Sequence, residues 1–137
     1  MPKIRFTVSL EKELLDEFDA NIQRQNYSNR SEAIRDLIRE QIVDEEWDRD
    51  QEVIGSITMV YNHHERESSR ELTNIQHDHN DAIISTQHIH VDHVNCLEVV
   101  IVRGTAAQIT ELFTKLKSSP GVKQCELTRS TTGNLLS

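Results

Sequence analysis

Two histidines and a cysteine in the middle of the chain have the types and the spacing of metal ligands. His88 and His90 lie two residues apart in a stretch that predicts a strand, so both imidazoles would share one face. Five residues separate His90 from Cys96. In a symmetric hairpin His90 then lies opposite Cys96, and His88 lies opposite Glu98. The pattern predicts a site in which two imidazoles and one thiolate bind a metal ion.

Two neighbouring side chains have predicted supporting roles. Glu98 is positioned to accept a hydrogen bond from the ring nitrogen of His88 that does not bind the metal. His77 lies on the preceding predicted helix, about 200° around the helix axis from Ile75 at 3.6 residues per turn. It therefore points away from the core of its own subunit. It can serve the metal of a neighbouring subunit, although an ordinary exposed histidine would have the same orientation.

The other histidines and the second cysteine have simpler interpretations. His79, on the inner stripe of that helix, is expected to be buried and hydrogen-bonded. Surface positions are expected for His63, His64 and His93, and a core position is expected for Cys125. Three nitrogens and one sulfur suit tetrahedral zinc as well as square-planar nickel or copper, so the spacing leaves the identity of the metal open.

A βαββαβ unit is predicted to position these residues. Alternating and β-branched stretches predict strands over 53–62, 82–91, 96–103 and 122–129. Helices are predicted over 65–80 and from Thr105, where Thr105 and Gln108 form a capping box. This order predicts a ferredoxin-like (ACT-like) domain over 53–129, followed by a flexible tail at 130–137.

The first 48 residues predict a second unit. Residues 3–10 alternate between apolar and polar, which predicts a half-buried strand, and Ser9 can cap the helix that follows. A second helix is predicted to start at Asn29, which has capping-box spacing to Glu32. A strand and two helices bury little surface, so we expect an obligate dimer with paired strands. With residues 49–52 as a linker, the predicted fold class is α+β.

The polar face of the first predicted strand carries Arg5, Thr7 and Ser9. Two such strands paired antiparallel form a ribbon that fits the major groove of DNA, where these side chains can contact bases. The start of the second helix, with Asn29 and Arg30, can bind a phosphate through its N–H groups. A solvated strand face is the alternative interpretation. The combination of these elements favours binding of double-stranded DNA.

Composition excludes several classes of protein. The 137 residues are 36% hydrophobic and 28% charged, with four glycines and two prolines, which excludes collagen and low-complexity chains. No apolar run approaches the roughly 18 residues that span a bilayer, so we expect a cytoplasmic protein without a membrane partner. The formal net charge is −8, but residues 21–39 carry four arginines against two acids. Catalytic motifs are absent from the sequence, so we do not expect an enzyme.

Three stretches resemble the nickel-responsive ribbon-helix-helix transcriptional regulators, the NikR family: IRFTVSL, YSNRSEAIRDLIR and QHDHNDAIISTQHIHVDHVNCLEV. The most specific feature is the spacing H-x10-H-x-H-x5-C. The resemblance implies a homotetramer in which two DNA-binding dimers flank four regulatory domains. It also implies one square-planar Ni(II) per subunit, bound by His88, His90 and Cys96 of one chain and His77 of another.

The same resemblance implies roles in the N-terminal unit. Arg5, Thr7 and Ser9 would read operator bases, and a weakly bound second cation between the domains would map to Glu32 and Asp36. The leading hypothesis is a nickel-sensing repressor that binds operator DNA when nickel is bound. Two alternatives remain at this point. One is a metal-storage or chaperone protein without a DNA role, and the other is an ACT-like regulator that senses a small molecule.

Overall fold

The computed structural model describes residues 2–136, except for the side chains of residues 66–69. Residues 1 and 137, which the predicted domain boundaries include, lie outside the described residues. The helices are Lys12–Arg24 (α1), Arg30–Asp48 (α2), Arg66–Asp78 (α3) and Ala106–Lys117 (α4). The strands are Glu52–Asn62 (β1), Ile83–His90 (β2), Asn95–Thr105 (β3) and Val122–Arg129 (β4). The chain divides into two compact units, one up to Glu40 and one from Gln41 onward. Among the described residues, no helix combines the length and apolar character needed to cross a bilayer.

The segment ahead of α1, residues 2–11, belongs to no helix or strand. A strand is predicted there, but a strand requires hydrogen bonds to a neighbour, and no strand within the described part of the chain pairs with this segment. Its apolar side chains are exposed, Ile4 by 89% and Leu10 by 46%. The half-buried strand is therefore wrong for the single chain. Capping by Ser9 is also wrong, because Glu11 occupies the N-cap of α1.

The two helices of the first unit have a small core. Ile22 of α1 and Ala33 of α2 are its only fully buried side chains within residues 2–40. The predicted cap at the start of α2 is present, because Oδ1 of Asn29 accepts a hydrogen bond from the N–H of Glu32 at 3.0 Å. A unit with so little buried surface depends on further burial for its stability.

The four strands of the second unit form one antiparallel sheet in the order β2-β3-β1-β4. Alternate residues of β1 and β3 face the core, where α4 contributes Ile109, Leu112 and Leu116. The capping box of Thr105 and Gln108 opens α4 as predicted. The order of elements confirms the predicted βαββαβ, ferredoxin-like arrangement.

The last turn of α2 lies in the core of the second unit. The side chain of Trp47 is 6% exposed, and its indole N–H donates to the carbonyl oxygen of Ser130 at 2.9 Å. Glu46 is also buried and accepts a hydrogen bond from the hydroxyl of Thr131 at 3.0 Å. Residues of the predicted linker and of the predicted tail are bonded into this unit. The carbonyl oxygen of Gln51 accepts from the N–H of Ala106 at the start of α4, and residues 130–131 bond to α2.

Candidate metal centre and nucleic-acid interface

The β2–β3 hairpin brings three of the predicted metal ligands together. Its register pairs His90 with Cys96 and His88 with Glu98, as the length of the loop predicts. The Sγ atom of Cys96 lies 3.4 Å from Nδ1 of His90. The rings of His88 and His90 are stacked, with centroids 5.4 Å apart. Two imidazoles and one thiol therefore form one patch at the end of the hairpin.

The thiol of Cys96 is fully buried beside two carboxylates. Burial, followed by the negative charges of Glu98 and Asp92, raises the pKa of this thiol above its ordinary value. The sulfur therefore carries a proton at neutral pH when no cation is nearby. A metal ion bound there would displace that proton, because only the thiolate is a good ligand.

Glu98 makes a different contact from the predicted one. It lies opposite His88, but its carboxylate accepts a hydrogen bond from the amide of Gln76 at 3.0 Å. Nε2 of His88 instead lies 3.1 Å from the hydroxyl of Tyr61, which pairs with Cys96 across β1 and β3. The predicted hydrogen bond between His88 and Glu98 is therefore wrong: the Nε2 atom of His88 contacts the phenol of Tyr61, and the carboxylate of Glu98 contacts Gln76. Burial raises the pKa of Glu98, while the Gln76 amide and the nearby His88 oppose that shift.

The hydroxyl of Tyr61 is a stable hydrogen-bond donor. Burial, together with the charges of Glu98 and Cys96, raises its pKa to about 12. The phenol therefore stays protonated and can donate to Nε2 of His88, which fixes the orientation of that ring. This contact holds one predicted ligand in place before any metal arrives.

The structure adds a histidine that was expected to be an ordinary surface residue. One ring nitrogen each from His63 and His90 and the Sγ of Cys96 all lie within 4.8 Å of one another. His63 follows the end of β1, and its backbone N–H donates to the carbonyl oxygen of Val94 at 3.0 Å. The pairing of Asn62 with Asn95 fixes this placement. The pairing of β1 with β3 places His63 beside His90 and Cys96, and the sequence alone does not show which strands pair.

The remaining histidines and the second cysteine lie outside that cluster. His77 is exposed on the last turn of α3, as its helical position predicts. His79 is half-buried at the C-cap of α3, and its Nδ1 lies 2.9 Å from the carbonyl oxygen of Ile75. His93 is exposed in the hairpin loop. Cys125 is a buried core residue as predicted, and burial raises its pKa to about 11.

A pocket of about 420 Å³ opens beside the cluster. Tyr61, Gln76, His88 and Glu98 are among the residues that line it. Because β2 is at the edge of the sheet, this side of the hairpin is accessible to another chain. The arrangement can therefore accept a further ligand from outside the subunit.

The residues predicted to read DNA bases lie on the segment ahead of α1. Arg5, Thr7 and Ser9 are all exposed. The segment is not paired in the single chain, so the ribbon that would give these side chains a common face requires a second copy.

The start of α2 is less favourable for a phosphate than the sequence predicts. The guanidinium of Arg30 donates two hydrogen bonds to the carboxylate of Asp19, at 2.8 and 2.7 Å. An anion at this site would therefore have to separate that ion pair. The pair is largely solvent-exposed and correspondingly weak, so a phosphate can compete for Arg30.

The two acids of the implied second cation site lie one turn apart on α2. Asp36 accepts hydrogen bonds from the hydroxyl of Tyr27 at 2.8 Å and from Arg39 at 3.3 Å. Glu32 is exposed in the first turn. No third histidine, cysteine or acid forms a metal-binding group with them within the described residues. The first unit by itself therefore supplies at most part of a cation site.

Comparison with known proteins identifies the family. The model of the NikR C terminal nickel binding domain matches residues 54–130, more than half of the chain. The chain belongs to the NikR family. A second model, the ribbon-helix-helix protein, copG family, matches residues 4–45 of this NikR chain. The predicted α+β fold class is therefore confirmed in both halves.

Curated relatives extend over nearly the whole NikR chain. A protein of Chlorobium limicola named as a nickel-responsive regulator is 52% identical over 129 residues, which cover 94% of this chain and 96% of the relative. One of Syntrophus aciditrophicus, with the same name, is 50% identical over 132 residues, covering 96% of each chain. This NikR chain is accordingly a nickel-responsive regulator and not an enzyme.

A solved structure supports the fold of the second unit. An uncharacterized protein from Thermotoga maritima superposes with a TM-score of 0.53 at 16% identity, covering 58% of this NikR chain and 98% of that protein. At this identity the likeness concerns the fold alone.

Proposed function

We propose that this NikR chain is a nickel-sensing repressor that binds operator DNA when Ni(II) is bound between subunits. The ligands are His88, His90 and Cys96 of one subunit and His77 of another, with one nickel per subunit. The observation that carries the proposal is the register of the β2–β3 hairpin, which puts Cys96 opposite His90 in a domain of the nickel-binding family.

The donor set of the hairpin fits nickel. Imidazole nitrogens suit nickel, and a thiolate is a good ligand for the later first-row metals. The hairpin of one chain offers two imidazoles and one sulfur, and β2 at the sheet edge leaves that patch accessible. His77 is exposed on α3, away from its own core, so it is available to a second subunit. Bound nickel would supply a cross-link between chains.

DNA binding in the proposal depends on a dimer of the first unit. The exposed apolar side chains at Ile4, Phe6, Val8 and Leu10 form a row that pairing with a second copy would bury. In a paired ribbon, Arg5, Thr7 and Ser9 face the major groove and contact bases. The N–H groups at Asn29 and the side chain of Arg30 contact the flanking phosphates.

A homotetramer connects these two sites. The nickel ligands lie in the second unit and the DNA contacts lie in the first, so nickel acts by favouring the arrangement of subunits that fits two half-sites. The coupling is reciprocal, so operator DNA tightens nickel binding by the factor by which nickel tightens DNA binding. A second cation at Glu32 and Asp36 would bind weakly. The protein acts where the operator lies, in the cytoplasm.

A gel shift on the DNA upstream of the protein's own gene tests this function. The full-length protein is titrated with and without nickel, beside His77→Ala and an unrelated DNA duplex. We expect a specific shift that needs nickel and is lost in His77→Ala. If nickel binds but no duplex shifts, the protein is a metal store and not a repressor. If an amino acid replaces nickel as the effector, the second unit is a small-molecule sensor.

A further inference from the structure

We propose that a clasp at the end of α2 is the positioning element through which nickel in the second unit controls DNA binding by the first. This role rests on the proposed function, because it concerns how the effect of nickel reaches the DNA contacts. α2 runs from Arg30 to Asp48, so it starts in the first unit and ends in the second. The clasp consists of three contacts within the second unit: Glu46 with Thr131, Trp47 with Ser130, and Asp50 with Ala107.

The first contact is made by a buried carboxylate. Glu46 is 4% exposed, and the hydroxyl of Thr131 donates to its carboxylate, with Oε1 at 3.0 Å and Oε2 at 3.3 Å. The same hydroxyl oxygen accepts from the N–H of Gly133 at 3.0 Å, which fixes its orientation. A buried carboxylate needs a hydrogen-bond donor, so this contact holds the C-terminal stretch against the last turn of α2.

The second contact connects α2 to the sheet through one residue. The carbonyl oxygen of Ser130 accepts from the indole of Trp47 at 2.9 Å, and the N–H of Ser130 donates to the carbonyl oxygen of Ile54 on β1, also at 2.9 Å. The guanidinium of Arg129 lies 5.8 Å from the centroid of the indole ring, within the range of a cation–π contact. The indole is therefore held both at its polar edge and over its face.

The third contact connects the turn after α2 to α4. Oδ1 of Asp50 accepts from the N–H of Ala107 at 2.6 Å, and the carbonyl oxygen of Gln51 accepts from the N–H of Ala106 at 3.2 Å. These N–H groups in the first turn of a helix have no partner inside the helix, and the positive end of the helix dipole favours a carboxylate there. The end of α2 is thus connected to α4 as well as to the sheet.

The sheet extends from the clasp to the predicted nickel ligands. β1 begins at Glu52, directly after the clasp, and pairs with β3 along its whole length. Glu52 lies opposite Thr105 at one end of this pair, and Tyr61 lies opposite Cys96 at the other. Two fully paired strands in a close-packed core change shape little. A rearrangement of second units around nickel would therefore carry the end of α2 with it.

Coupling between nickel and DNA requires a firm connection of this kind. Nickel favours one arrangement of the second units, but the ribbons bind two half-sites only if that arrangement also restricts the first units. A flexible connection would spread the first units over many orientations and lower their effective concentration at the second half-site. The clasp restricts the end of the shared helix, which is why we assign it a positioning role.

The main test removes the donor hydroxyl with Thr131→Val, which keeps the shape of the side chain. Gel shifts of the full-length protein on the DNA upstream of its own gene, with and without nickel, give the factor by which nickel tightens DNA binding. We expect that factor to fall by at least about fivefold, the lower end of usual couplings between two sites. Nickel affinity without DNA and the thiolate absorption should stay unchanged, because the clasp contains no predicted ligand.

Two variants make this result specific to the hydroxyl. Thr131→Ser keeps a donor for Glu46 and should restore the factor. Thr132→Val is the matched control, because it makes the same change one residue later, at a half-buried side chain for which the described residues show no hydrogen bond to α2. It should leave the factor as it is in the unmodified protein.

A second pair of variants tests the contact with α4 independently. Asp50 has φ of 54°, a conformation that glycine adopts freely and asparagine tolerates. Asp50→Gly removes the acceptor for the N–H of Ala107 without backbone strain and should also reduce the factor. Asp50→Asn keeps an oxygen at the same place and should retain it. If Thr131→Val does not fold, this pair decides the question.

Trp47 reports the state of the clasp without DNA. It is the single tryptophan of the sequence, so quenching of its fluorescence by acrylamide measures how far the indole is exposed. We expect more quenching in Thr131→Val and in Asp50→Gly than in the unmodified protein, and none of this increase in Thr131→Ser or Thr132→Val. Circular dichroism and size-exclusion chromatography verify that each variant folds and assembles.

The outcomes separate the clasp from the repressor function. Full nickel dependence in a folded Thr131→Val with an exposed Trp47 overturns the clasp alone, as does unchanged quenching in both Thr131→Val and Asp50→Gly. An equal loss of nickel dependence in Thr132→Val also overturns it. Absence of any nickel-dependent shift in the unmodified protein overturns the proposed function, and with it the coupling role, even where quenching shows the contacts to be present.

Discussion

The β2–β3 hairpin and residues 2–11 both carry alternating side chains, but only the hairpin has its partner strand in the same chain. In the hairpin, His90 and Cys96 are held opposite each other by the hydrogen bonds of two strands. In the segment, Phe6 is 67% exposed and Val8 is 56% exposed, and no strand within the described residues pairs with it. One chain therefore brings three of the predicted metal ligands together, whereas the predicted DNA-reading ribbon needs a partner strand that the described residues do not supply.

The two regions therefore differ in whether their predicted function needs a second copy of the chain. The three predicted ligands of the hairpin come together through local strand pairing, so their grouping needs only the second unit to be folded. DNA reading needs a second copy, and so does the fourth nickel ligand if His77 serves another subunit. Under the proposed function, both the complete nickel site and the paired ribbon therefore require a second copy of the chain.

The largest expected effect concerns whether one chain can complete the predicted nickel site. His77→Ala and Cys96→Ala homotetramers should each lack the planar nickel site, so their thiolate-to-nickel absorption should disappear. Mixed tetramers should regain part of that absorption, because a Cys96-bearing chain meets a His77-bearing partner. The measurement is the absorption spectrum with nickel after the two variants are refolded together.

The control for this mixing experiment is a test that mixed tetramers have formed. Differently tagged subunits recovered together show that mixed tetramers have formed. If they form and no absorption returns, the fourth ligand comes from the same chain and the cross-link between subunits does not exist.

The segment can be tested by removing one base-reading side chain. Arg5→Ala should lose about 1–3 kcal/mol for each base contact, and a dimer repeats the loss. Operator affinity should fall steeply, while nickel binding should not change because Arg5 lies outside the second unit. Competitive gel shifts with operator and mutated duplexes measure the preference, and calorimetry measures nickel binding.

Lys3→Ala is the matched control for Arg5→Ala. It removes one positive charge from the same exposed segment and should weaken binding to all duplexes about equally, with a smaller dependence on salt. Sequence preference that survives intact in Arg5→Ala would show that this segment is not the reader.

The hairpin can be tested by pH. The pKa of the Cys96 thiol is raised by burial, so at neutral pH each bound nickel must displace about one proton from sulfur. Nickel affinity should therefore rise about tenfold per pH unit between roughly pH 6.5 and 8, because one thiol proton is released for each nickel bound. Competition with a chelator of known pH dependence measures the slope.

Cys125→Ala provides the control for the pH experiment. Cys125 is the other buried thiol, with a pKa raised to about 11, and it lies outside the cluster. Its removal should leave the slope unchanged. A flat affinity in the unmodified protein over the same range would exclude the Cys96 thiol as a ligand.

The smallest expected effect concerns the start of α2. Asn29→Ala removes the side-chain oxygen that accepts from Glu32, which should lower the free energy of unfolding by about 1 kcal/mol. Ser31→Ala, an exposed substitution inside the same helix, should change stability less. Urea unfolding followed by circular dichroism measures both, and equal effects would mean that the cap adds nothing.

Local patterns made the second unit predictable. The loop between His90 and Cys96 fixes the hairpin register, and the capping box at Thr105 fixes the start of α4. Both are interactions between residues near each other in sequence, so residue type and spacing were enough. The alternation of β1 and β3 likewise predicted strands with one buried face.

Contacts between distant residues were not predictable in the same way. His63 reaches the cluster only because β1 pairs with β3, and Trp47 enters the core through contacts with residues more than eighty positions away. The predicted hydrogen bond between His88 and Glu98 failed because Tyr61, on a third strand, competes for the imidazole. Each of these outcomes depends on three-dimensional packing that one sequence does not contain.

Two hydrogen bonds, one donated by Trp47 to Ser130 and one donated by Thr131 to Glu46, have a practical consequence for engineering this protein. A reporter domain fused after residue 136 leaves these bonds in place. A fusion made directly after Arg129 removes the partners of a buried indole and a buried carboxylate, each worth about 1–3 kcal/mol when left unsatisfied. The safe attachment point is therefore beyond the C-terminal stretch, even though its described residues, 130–136, contain no helix or strand.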